Sequence, residues 1–418
     1  MPGMVPVGIF PPSQPPTPVG YHPEPRRGPT RSTRRGPMEV LSGPPMPNPR
    51  IPLNDLRRGW AADSAEVRAA VERVLASGWY VQGPEHAAFE RELADYVGTR
   101  HAAGVASGTD ALCLAMLALG LGEGSEILTA ANAGGYTSCA AAQIGARVTY
   151  ADVDAATSLV TADTVADALG PDTRAVVVTH LYGNVADVEA IAQVCRPKGI
   201  AIIEDCAQAI GGADGKGRSA GSLGDVAALS FYPTKNLGAA GDGGAVATND
   251  DEIHARLKSL RQYGWSPKYH VSVPGGRNSR LDEIQAAILR FGLRRTNELN
   301  ERRREIVGRY AEATSQTSIS MVTGNGCETV GHLAVVRHGQ RDRLRQHLAA
   351  HGVDTDIHYP VLDPDQPGLP QPSRVTRLDV SRRVVAEIVT IPCFPEMTDA
   401  EVERVSRALQ TFEGGDSE

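Results

Sequence analysis

The strongest chemical signal in the sequence is a pair of ionisable residues, Asp205 and Lys235. Asp205 follows the apolar run Ile200–Ile203, which predicts a buried strand, and it therefore stands at the carboxyl end of that strand. Ligands of open α/β sheets bind at this end. A buried carboxylate needs a partner because an unpaired buried charge is costly, and a cofactor with a protonated ring nitrogen would be one. The alternative is that Asp205 caps a following helix.

Lys235 lies in a proline-containing turn that leads into the glycine-rich segment Gly238–Gly244. A lysine placed among such small residues can lie in a cleft, where desolvation lowers its pKa towards that of a nucleophilic amine. Schiff-base chemistry requires such an amine. The alternative is an ordinary surface lysine, but the presence of Asp205 favours the chemical interpretation.

The segment Ser107–Asp110 predicts the beginning of a helix and a phosphate site. Gly108 allows the backbone to approach a ligand, and Thr109 with the first free N–H groups of the helix can hold a phosphate. Ser230 offers a further hydroxyl group. The alternative is simple N-capping, for which Ser, Thr and Asp are common residues.

The elements that must position these residues are predicted from apolar runs of strand length that alternate with helical patterns. The predicted strands are Glu126–Thr129, Val148–Tyr150, Ala175–His180, Ile200–Glu204, Val226–Phe231 and Gly244–Thr248. The predicted helices among and before them are Ala61–Leu75, Phe89–Tyr96, Asp110–Leu119, Val165–Leu169 and Val185–Cys195. Short apolar strands separated by helices indicate an α/β fold with a mainly parallel sheet covered on both faces.

Three regions are predicted along the chain. Residues 1–49 are rich in Pro, Gly and Arg and poor in large apolar residues, so we expect a disordered tail. An interaction arm and an over-extended start site are the alternatives. Residues 50–295 form the large α/β domain, and 296–418 a smaller α+β domain. The second part contains a predicted strand at Leu333–Arg337 and helices at Asp342–His351 and Asp399–Gln410, and separate helices are predicted at Leu281–Arg295 and Glu298–Glu312.

The composition excludes several classes of protein. A formal charge of −7 argues against a general nucleic-acid binder, which needs a basic face. The absence of a long apolar run or a secretory signal argues against a membrane protein or a secreted one. The six cysteines have no CxxC or metal-ligand spacing, so we expect buried reduced thiols, no metal site and a cytoplasmic location.

Seven segments together resemble the DegT/DnrJ/EryC1/StrS family of sugar aminotransferases, which are pyridoxal 5′-phosphate (PLP) enzymes of fold type I. The segments occur in the family's order and are Ser107–Leu112, His180–Gly183, Glu204–Gln208, Ser230–Gly238, Gly241–Gly244, Arg277–Ala287 and His358–Pro360. The resemblance implies a large domain with a mainly parallel sheet of the seven-stranded type between helices, and a smaller C-terminal α+β domain.

The resemblance also implies a role for each site residue. Lys235 would form the Schiff base with PLP, Asp205 would pair with the pyridine nitrogen, and Gln208 would bind the ring hydroxyl. Gly108, Thr109 and Ser230 would hold the phosphate. Asn278 would reach the phosphate of the neighbouring subunit's cofactor, which implies a homodimer with shared active sites.

The loop after the predicted strand Glu126–Thr129 departs from the family pattern. The family has an aromatic residue there that stacks on the cofactor ring, whereas Gly134 falls near that place in this chain. Tyr136 would then stack on the ring through a shifted loop, or pack elsewhere.

The implied reaction is the transfer of an amino group from L-glutamate to a keto-sugar, most simply a nucleotide-linked keto-deoxyhexose. A keto-cyclitol is the alternative acceptor, since the same motifs serve both. A sugar dehydratase is disfavoured because that branch of the family has histidine in place of Lys235. A non-catalytic regulator that binds PLP or a sugar is disfavoured by the intact site residues.

Overall fold

The structure is a computed structural model that describes residues 49–324, 329–374 and 376–413. The described residues belong to one compact unit. The prediction of a disordered tail at 1–49 falls almost entirely outside the described residues.

The strands are β1 (His101–Val105), β2 (Glu126–Ala130), β3 (Arg147–Ala151), β4 (Thr173–Thr179), β5 (Ala201–Asp205), β6 (Val226–Ser230), β7 (Gly244–Thr248), β8 (Ser320–Met321), β9 (Ala334–Arg337) and β10 (Ile388–Ile391). The helices are α1 (Leu56–Ser77), α2 (Pro84–Val97), α3 (Gly108–Ala118), α4 (Tyr136–Gln143), α5 (Ala162–Ala168), α6 (Val188–Cys195), α7 (Asp251–Leu260), α8 (Glu283–Thr314), α9 (Arg341–Ala350), α10 (Asp379–Glu387) and α11 (Asp399–Gln410).

The large sheet has seven strands in the order β1-β7-β6-β5-β4-β2-β3. The five neighbouring strands β6, β5, β4, β2 and β3 pair in parallel, whereas β7 pairs antiparallel with both β6 and β1. Neighbouring residues of a strand enter different cores: Val177 and Ile203 pack with α3, while Val176 and Ile202 pack on the other face with α5 and α6. The prediction of a mainly parallel sheet covered on both faces is confirmed.

A second, antiparallel sheet of β10-β9-β8 belongs to the C-terminal part of the chain. Its apolar residues pack with α9, α11 and the last turns of α8. Ile51, near the other end of the described chain, is fully buried in the same cluster and pairs with Val353. The boundary at 295/296 remains a prediction, and helix α8 runs through it.

The prediction of two helices at Leu281–Arg295 and Glu298–Glu312 is wrong, because α8 is one helix of 32 residues. The apolar pattern is interrupted where polar residues occupy its buried face. Thr296, Asn300 and Arg303 are buried there, and each bonds a protein carbonyl group. Hydrogen-bonded polar groups can replace apolar ones in a helix interface, although Nε of Arg303 has no hydrogen-bond partner among the described residues. The sequence pattern does not show which of these bonds form.

Two further expectations concern the state of the cysteines and the presence of membrane-spanning helices. The five cysteines in the described residues are free, and four are buried, but Cys139 is exposed, contrary to the prediction. Cys327 lies outside the described residues. Among the described residues, no helix is both long enough and apolar enough to cross a membrane.

Candidate active site

A cavity of about 490 Å³ opens at the carboxyl ends of the parallel strands. Thr179 ends β4, Asp205 ends β5 and Ser230 ends β6, and all three line the cavity. Strand β7 runs in the opposite direction, so its amino end brings Asp242 and Gly243 to the same place. The topology of the sheet therefore gathers residues that are far apart in the sequence.

The carboxylate of Asp205 is buried, with 5% of the residue exposed. Its Oδ1 accepts a hydrogen bond from the N–H of Ala207 at 3.1 Å, and its Oδ2 accepts one from the hydroxyl of Thr179 at 3.4 Å. Burial raises the pKa of Asp205, while the Ala207 N–H and the charge of Lys235 oppose the rise. The bond to Ala207 caps a turn rather than the helix of the alternative interpretation. A cationic group in the cavity would stabilise the ionised carboxylate.

Lys235 is partly buried and lines the same cavity. Its N–H bonds the carbonyl group of Tyr232 at 2.8 Å, which closes the proline-containing turn. Burial lowers the pKa of the Lys235 amine, and the charge of Asp205 opposes this effect. A lowered pKa increases the fraction of neutral, nucleophilic amine.

His332 was not predicted as a site residue, yet it is buried beside Lys235 in the cavity wall. Its Nδ1 lies 2.8 Å from Oδ1 of Asn236, whose amide nitrogen donates to Asn300 and to the carbonyl group of Val330. Because Oδ1 is an acceptor, Nδ1 of His332 carries the proton. Burial keeps the pKa of His332 well below its usual value, so the ring is neutral.

Helix α3 begins at the cavity and has Ser107 as its N-cap. The Ser107 hydroxyl accepts a hydrogen bond from the N–H of Asp110 at 3.1 Å, so the capping interpretation is confirmed for this residue. Gly108 and Thr109 line the cavity, together with Ser230. A Cβ atom at Gly108 would lie 2.5 Å from the Cβ of Ser230, so only glycine permits this approach. The arrangement offers N–H groups and hydroxyls to an anion.

Gln208 lines the cavity with a fixed side-chain orientation. Its Oε1 accepts the N–H of Tyr182 at 2.7 Å, so its amide nitrogen must face the other way. That nitrogen donates to the hydroxyl of Tyr359 at 3.1 Å. One of its two hydrogens therefore remains for a ligand.

A buried hydrogen-bonded pair, His180 and Glu204, lies next to the strand end that carries Asp205. Nε2 of His180 donates to Glu204 at 2.9 Å, since its Nδ1 accepts the N–H of Ala186. Glu204 also accepts the N–H groups of Gly221, Leu223 and Gly224. With Cys206, these two residues could form a metal-binding group, but their hydrogen bonds already use the atoms that would bind the ion. The pair instead fixes the strand end that carries Asp205.

The structure brings together seven of the eight predicted site residues. These are Gly108, Thr109, Tyr136, Asp205, Gln208, Ser230 and Lys235. Asn278 is exposed and does not line the cavity of its own chain. Its neighbours Arg277 and Ser279 both bond Asp110 at the start of α3, which holds the segment in place.

Other cavity residues come from the C-terminal part of the chain and were not assigned roles from the sequence. They are His332, Leu333, Asp356, Tyr359, Thr390, Ile391 and Cys393. His358 lines the cavity as well, and Arg277 is bonded to Gln143 and Asp110. Tyr359 could have been identified as a site residue from the sequence by its place in the motif His358–Pro360.

The residues present fit PLP. A buried carboxylate without a cationic hydrogen-bond partner in the described structure can pair with the pyridine nitrogen, and the start of α3 can bind the phosphate. Lys235 lies in the same cavity and can bond the aldehyde carbon. Gly108 lies where α3 approaches Ser230. A Cβ atom at this position would clash with the Ser230 side chain, so this close approach requires glycine.

Comparison with known proteins decides the family. The profile of the DegT/DnrJ/EryC1/StrS aminotransferase family matches residues 61–410. This chain belongs to that family. It is a PLP-dependent aminotransferase, and its substrates are an amino donor and a keto-sugar.

Three relatives illustrate the similarity. The chain is 40% identical to the dTDP-3-amino-3,4,6-trideoxy-alpha-D-glucose transaminase of Streptomyces venezuelae, over 87% of this chain and 96% of that one. It is 39% identical to the dTDP-3-amino-3,6-dideoxy-alpha-D-galactopyranose transaminase of Aneurinibacillus thermoaerophilus, over 87% and 99%. The crystal structure of S. venezuelae DesV in complex with a ketimine intermediate matches with a TM-score of 0.83 and 38% identity, covering 87% of this chain and 98% of that one.

Proposed function

We propose that this aminotransferase moves the amino group of L-glutamate to a nucleotide-linked keto-deoxyhexose. The observation that carries the proposal is the cavity shared by Asp205, Lys235 and the start of α3. The names of the two transaminase relatives point to a dTDP-linked sugar with the amino group at C3. The free thiols of the described cysteines support a cytoplasmic location.

Each site residue then has a defined task. PLP supplies an electron-withdrawing ring that stabilises negative charge at the carbon losing its proton. Asp205 keeps the pyridine nitrogen protonated, because a buried carboxylate favours a neighbouring cation. Gly108, Thr109 and Ser230 hold the phosphate, and Gln208 donates a hydrogen bond to the ring hydroxyl. Lys235 removes a proton from the α-carbon of the donor and delivers it one position away, as a general base and then a general acid.

His332 has a supporting task near Lys235. Its neutral ring carries the proton on Nδ1, so Nε2 is an acceptor. A neutral acceptor beside Lys235 does not repel the ammonium form, and it can orient the amine between its two proton transfers. Asn236 fixes the ring orientation through its bonds to Asn300 and Val330.

The protein is proposed to be a homodimer with shared active sites. Two large aromatic side chains of the segment that leads to Asn278 are exposed, Tyr263 at 40% and Tyr269 at 76%. Exposed aromatic residues are enriched at protein interfaces. Asn278 lies in the same segment as Tyr263 and Tyr269, so a second copy placed there would receive its side chain.

The activity test uses purified protein and the cofactor's own absorbance. L-Glutamate should bleach the visible band of the wild-type protein and form 2-oxoglutarate, whereas Lys235→Ala should show neither change. Lys258→Ala is the matched control, because Lys258 is exposed and outside the cavity. Turnover by Lys235→Ala at the wild-type rate would refute the assigned base.

The acceptor test runs the reaction from the amino product with 2-oxoglutarate. We expect a dTDP-linked 3-amino-deoxyhexose to be consumed, with a lower rate for 4-amino isomers. Consumption of an amino-cyclitol alone would replace the keto-sugar by a keto-cyclitol. No turnover of any amine would favour a regulator that only binds its ligands.

The dimer test mixes two inactive variants. Lys235→Ala lacks the amine and Asn278→Asp places a negative charge at the proposed phosphate contact. In a hybrid dimer, one site contains an intact Lys235 and receives an intact Asn278 from the other subunit. Refolding the two variants together should therefore restore activity. If Asn278 instead acts within its own chain, no activity should return.

A further inference from the structure

By its spacing, the loop Ala131–Thr137 has a glycine near the position that the resemblance gives to a ring-stacking aromatic residue. This residue is Gly134, whose backbone φ of +81° is rarely adopted by residues that have a side chain. A Cβ at Gly134 would lie 2.7 to 2.9 Å from three atoms of the Tyr359 ring. The volume of the missing side chain is therefore already filled by Tyr359.

We propose that Tyr359, from the C-terminal part of the chain, covers the face of the PLP ring in place of the absent loop aromatic. The proposal rests on the cofactor of the family and does not depend on which sugar is aminated. It assigns Tyr359 a binding role.

The first supporting observation is the position of the Tyr359 ring. It lines the cavity that also contains Lys235 and Asp205. Burial raises the pKa of its hydroxyl, with smaller contributions from Tyr136, Tyr182 and Asp205, so the hydroxyl stays protonated. A neutral aromatic ring at the edge of this cavity can pack on a flat cofactor with little loss of conformational freedom.

The second observation is that other groups hold Tyr359 in place. Its hydroxyl accepts a hydrogen bond from Gln208, a residue assigned to the ring hydroxyl of PLP. The main chain that follows it is tied to the glycine loop, since the N–H of Asp363 bonds the carbonyl group of Ala131 at 2.8 Å. Oδ1 of Asp363 in turn accepts the N–H of Gly135 at 2.8 Å. The loop and Tyr359 thus form one unit.

The third observation concerns Tyr136, the other aromatic residue of the loop. Tyr136 is 48% exposed and its ring meets Tyr359 edge-on, with centroids 5.9 Å apart and planes at 74°. It packs against Tyr359 from the side. We therefore expect Tyr136 to support Tyr359, which makes the larger contact with the cofactor.

The test measures the dissociation constant of PLP by absorbance titration of the apoprotein, without any substrate. Tyr359→Ala should weaken PLP binding about ten- to a hundredfold, as the loss of an aromatic stacking partner and its buried area predicts. Tyr359→Phe keeps the ring and should stay within about threefold of wild type. Tyr136→Ala is the matched control and should have a clearly smaller effect than Tyr359→Ala.

A double-variant cycle tests the contact with the loop directly. A methyl group in Gly134→Ala should displace the ring of Tyr359 and weaken PLP binding in the wild-type background. In the Tyr359→Ala background the same methyl group meets no ring, so its effect should largely disappear. The backbone strain at position 134 is common to both backgrounds and cancels in the comparison.

The outcomes are distinct from those of the activity tests. Normal PLP affinity in Tyr359→Ala, or an equal effect of Gly134→Ala in both backgrounds, would overturn the proposal. A larger loss in Tyr136→Ala than in Tyr359→Ala would return the stacking role to Tyr136. If Tyr359→Ala does not fold, as judged by circular dichroism, Tyr359→Leu keeps the apolar volume without a flat ring and should show the same loss of affinity.

Discussion

The contact between Gly108 and Ser230 gives the sharpest prediction. In Gly108→Ala the new Cβ would lie 2.5 Å from the Cβ of Ser230 and 2.8 Å from its hydroxyl oxygen. Carbon atoms in contact are normally about 3.5 Å or more apart, so the start of α3 must move by about 1 Å. Overpacking of this kind lowers the free energy of unfolding by about 1–3 kcal/mol.

The same displacement moves the phosphate site. Because the first turn of α3 and Ser230 are assigned to one phosphate, a shift of about 1 Å should weaken PLP binding about ten- to a hundredfold. Urea unfolding of the apoprotein and absorbance titration with PLP measure the two effects. Gly215→Ala is the control, since no atom lies within 4 Å of a Cβ at Gly215.

A second substitution separates the packing effect from the binding effect. Ser230→Gly removes the two atoms that the new methyl group meets, and leaves the Cα of residue 230 at 3.2 Å. The apoprotein of Gly108→Ala/Ser230→Gly should therefore be about as stable as Ser230→Gly alone, while PLP binding stays weak. Wild-type stability and wild-type PLP affinity in Gly108→Ala would refute the reasoning.

Three further predictions concern stability. Glu204→Ala leaves His180 and three N–H groups, one buried and two partly buried, without their acceptor, and should lower the free energy of unfolding by about 3–5 kcal/mol in urea titrations, whereas Glu252→Ala on the surface should not. Burial raises the pKa of Asp363 to about 7, so the folded protein binds this proton more tightly than the unfolded chain. The free energy of unfolding should therefore fall as the pH rises from about 4 to 7, and Asp363→Asn should remove that part of the slope. Gly308 lies within α8, and a Cβ at this position would have open space around it. Because glycine destabilises the middle of a helix relative to alanine, Gly308→Ala should raise the free energy of unfolding by about 0.5–1 kcal/mol, and a lower melting temperature would contradict this.

Strands β2 to β7 and β9 were predicted from the sequence, whereas β8, β10 and β1 were missed. Strand β1, His101–Val105, contains only small residues between its ends. The reason lies in the packing, since a Cβ at Gly104 would lie 2.8 Å from Nε2 of His86 and 3.1 Å from the Cβ of Leu281. A strand that must pass so close to its neighbours cannot carry the bulky residues by which strands are recognised.

The single helix α8 shows a related limit. Thr296, Asn300 and Arg303 look like surface residues in the sequence, but all three are buried and hydrogen-bonded. Thr296 bonds Gly292 within the helix, but Asn300 and Arg303 bond carbonyl groups of Ile210 and Cys393, which are far away in the sequence. Local patterns do not contain that information.

The sequence by itself determined the chemistry: a carboxylate after a buried strand, a lysine in a turn and a glycine at the start of a helix. These are local signals, because each residue type suits its own element. Only the tertiary structure decided which aromatic ring lies beside Gly134. Tyr359 reaches that position from far along the chain, and a contact between distant segments is set by the packing of the whole fold.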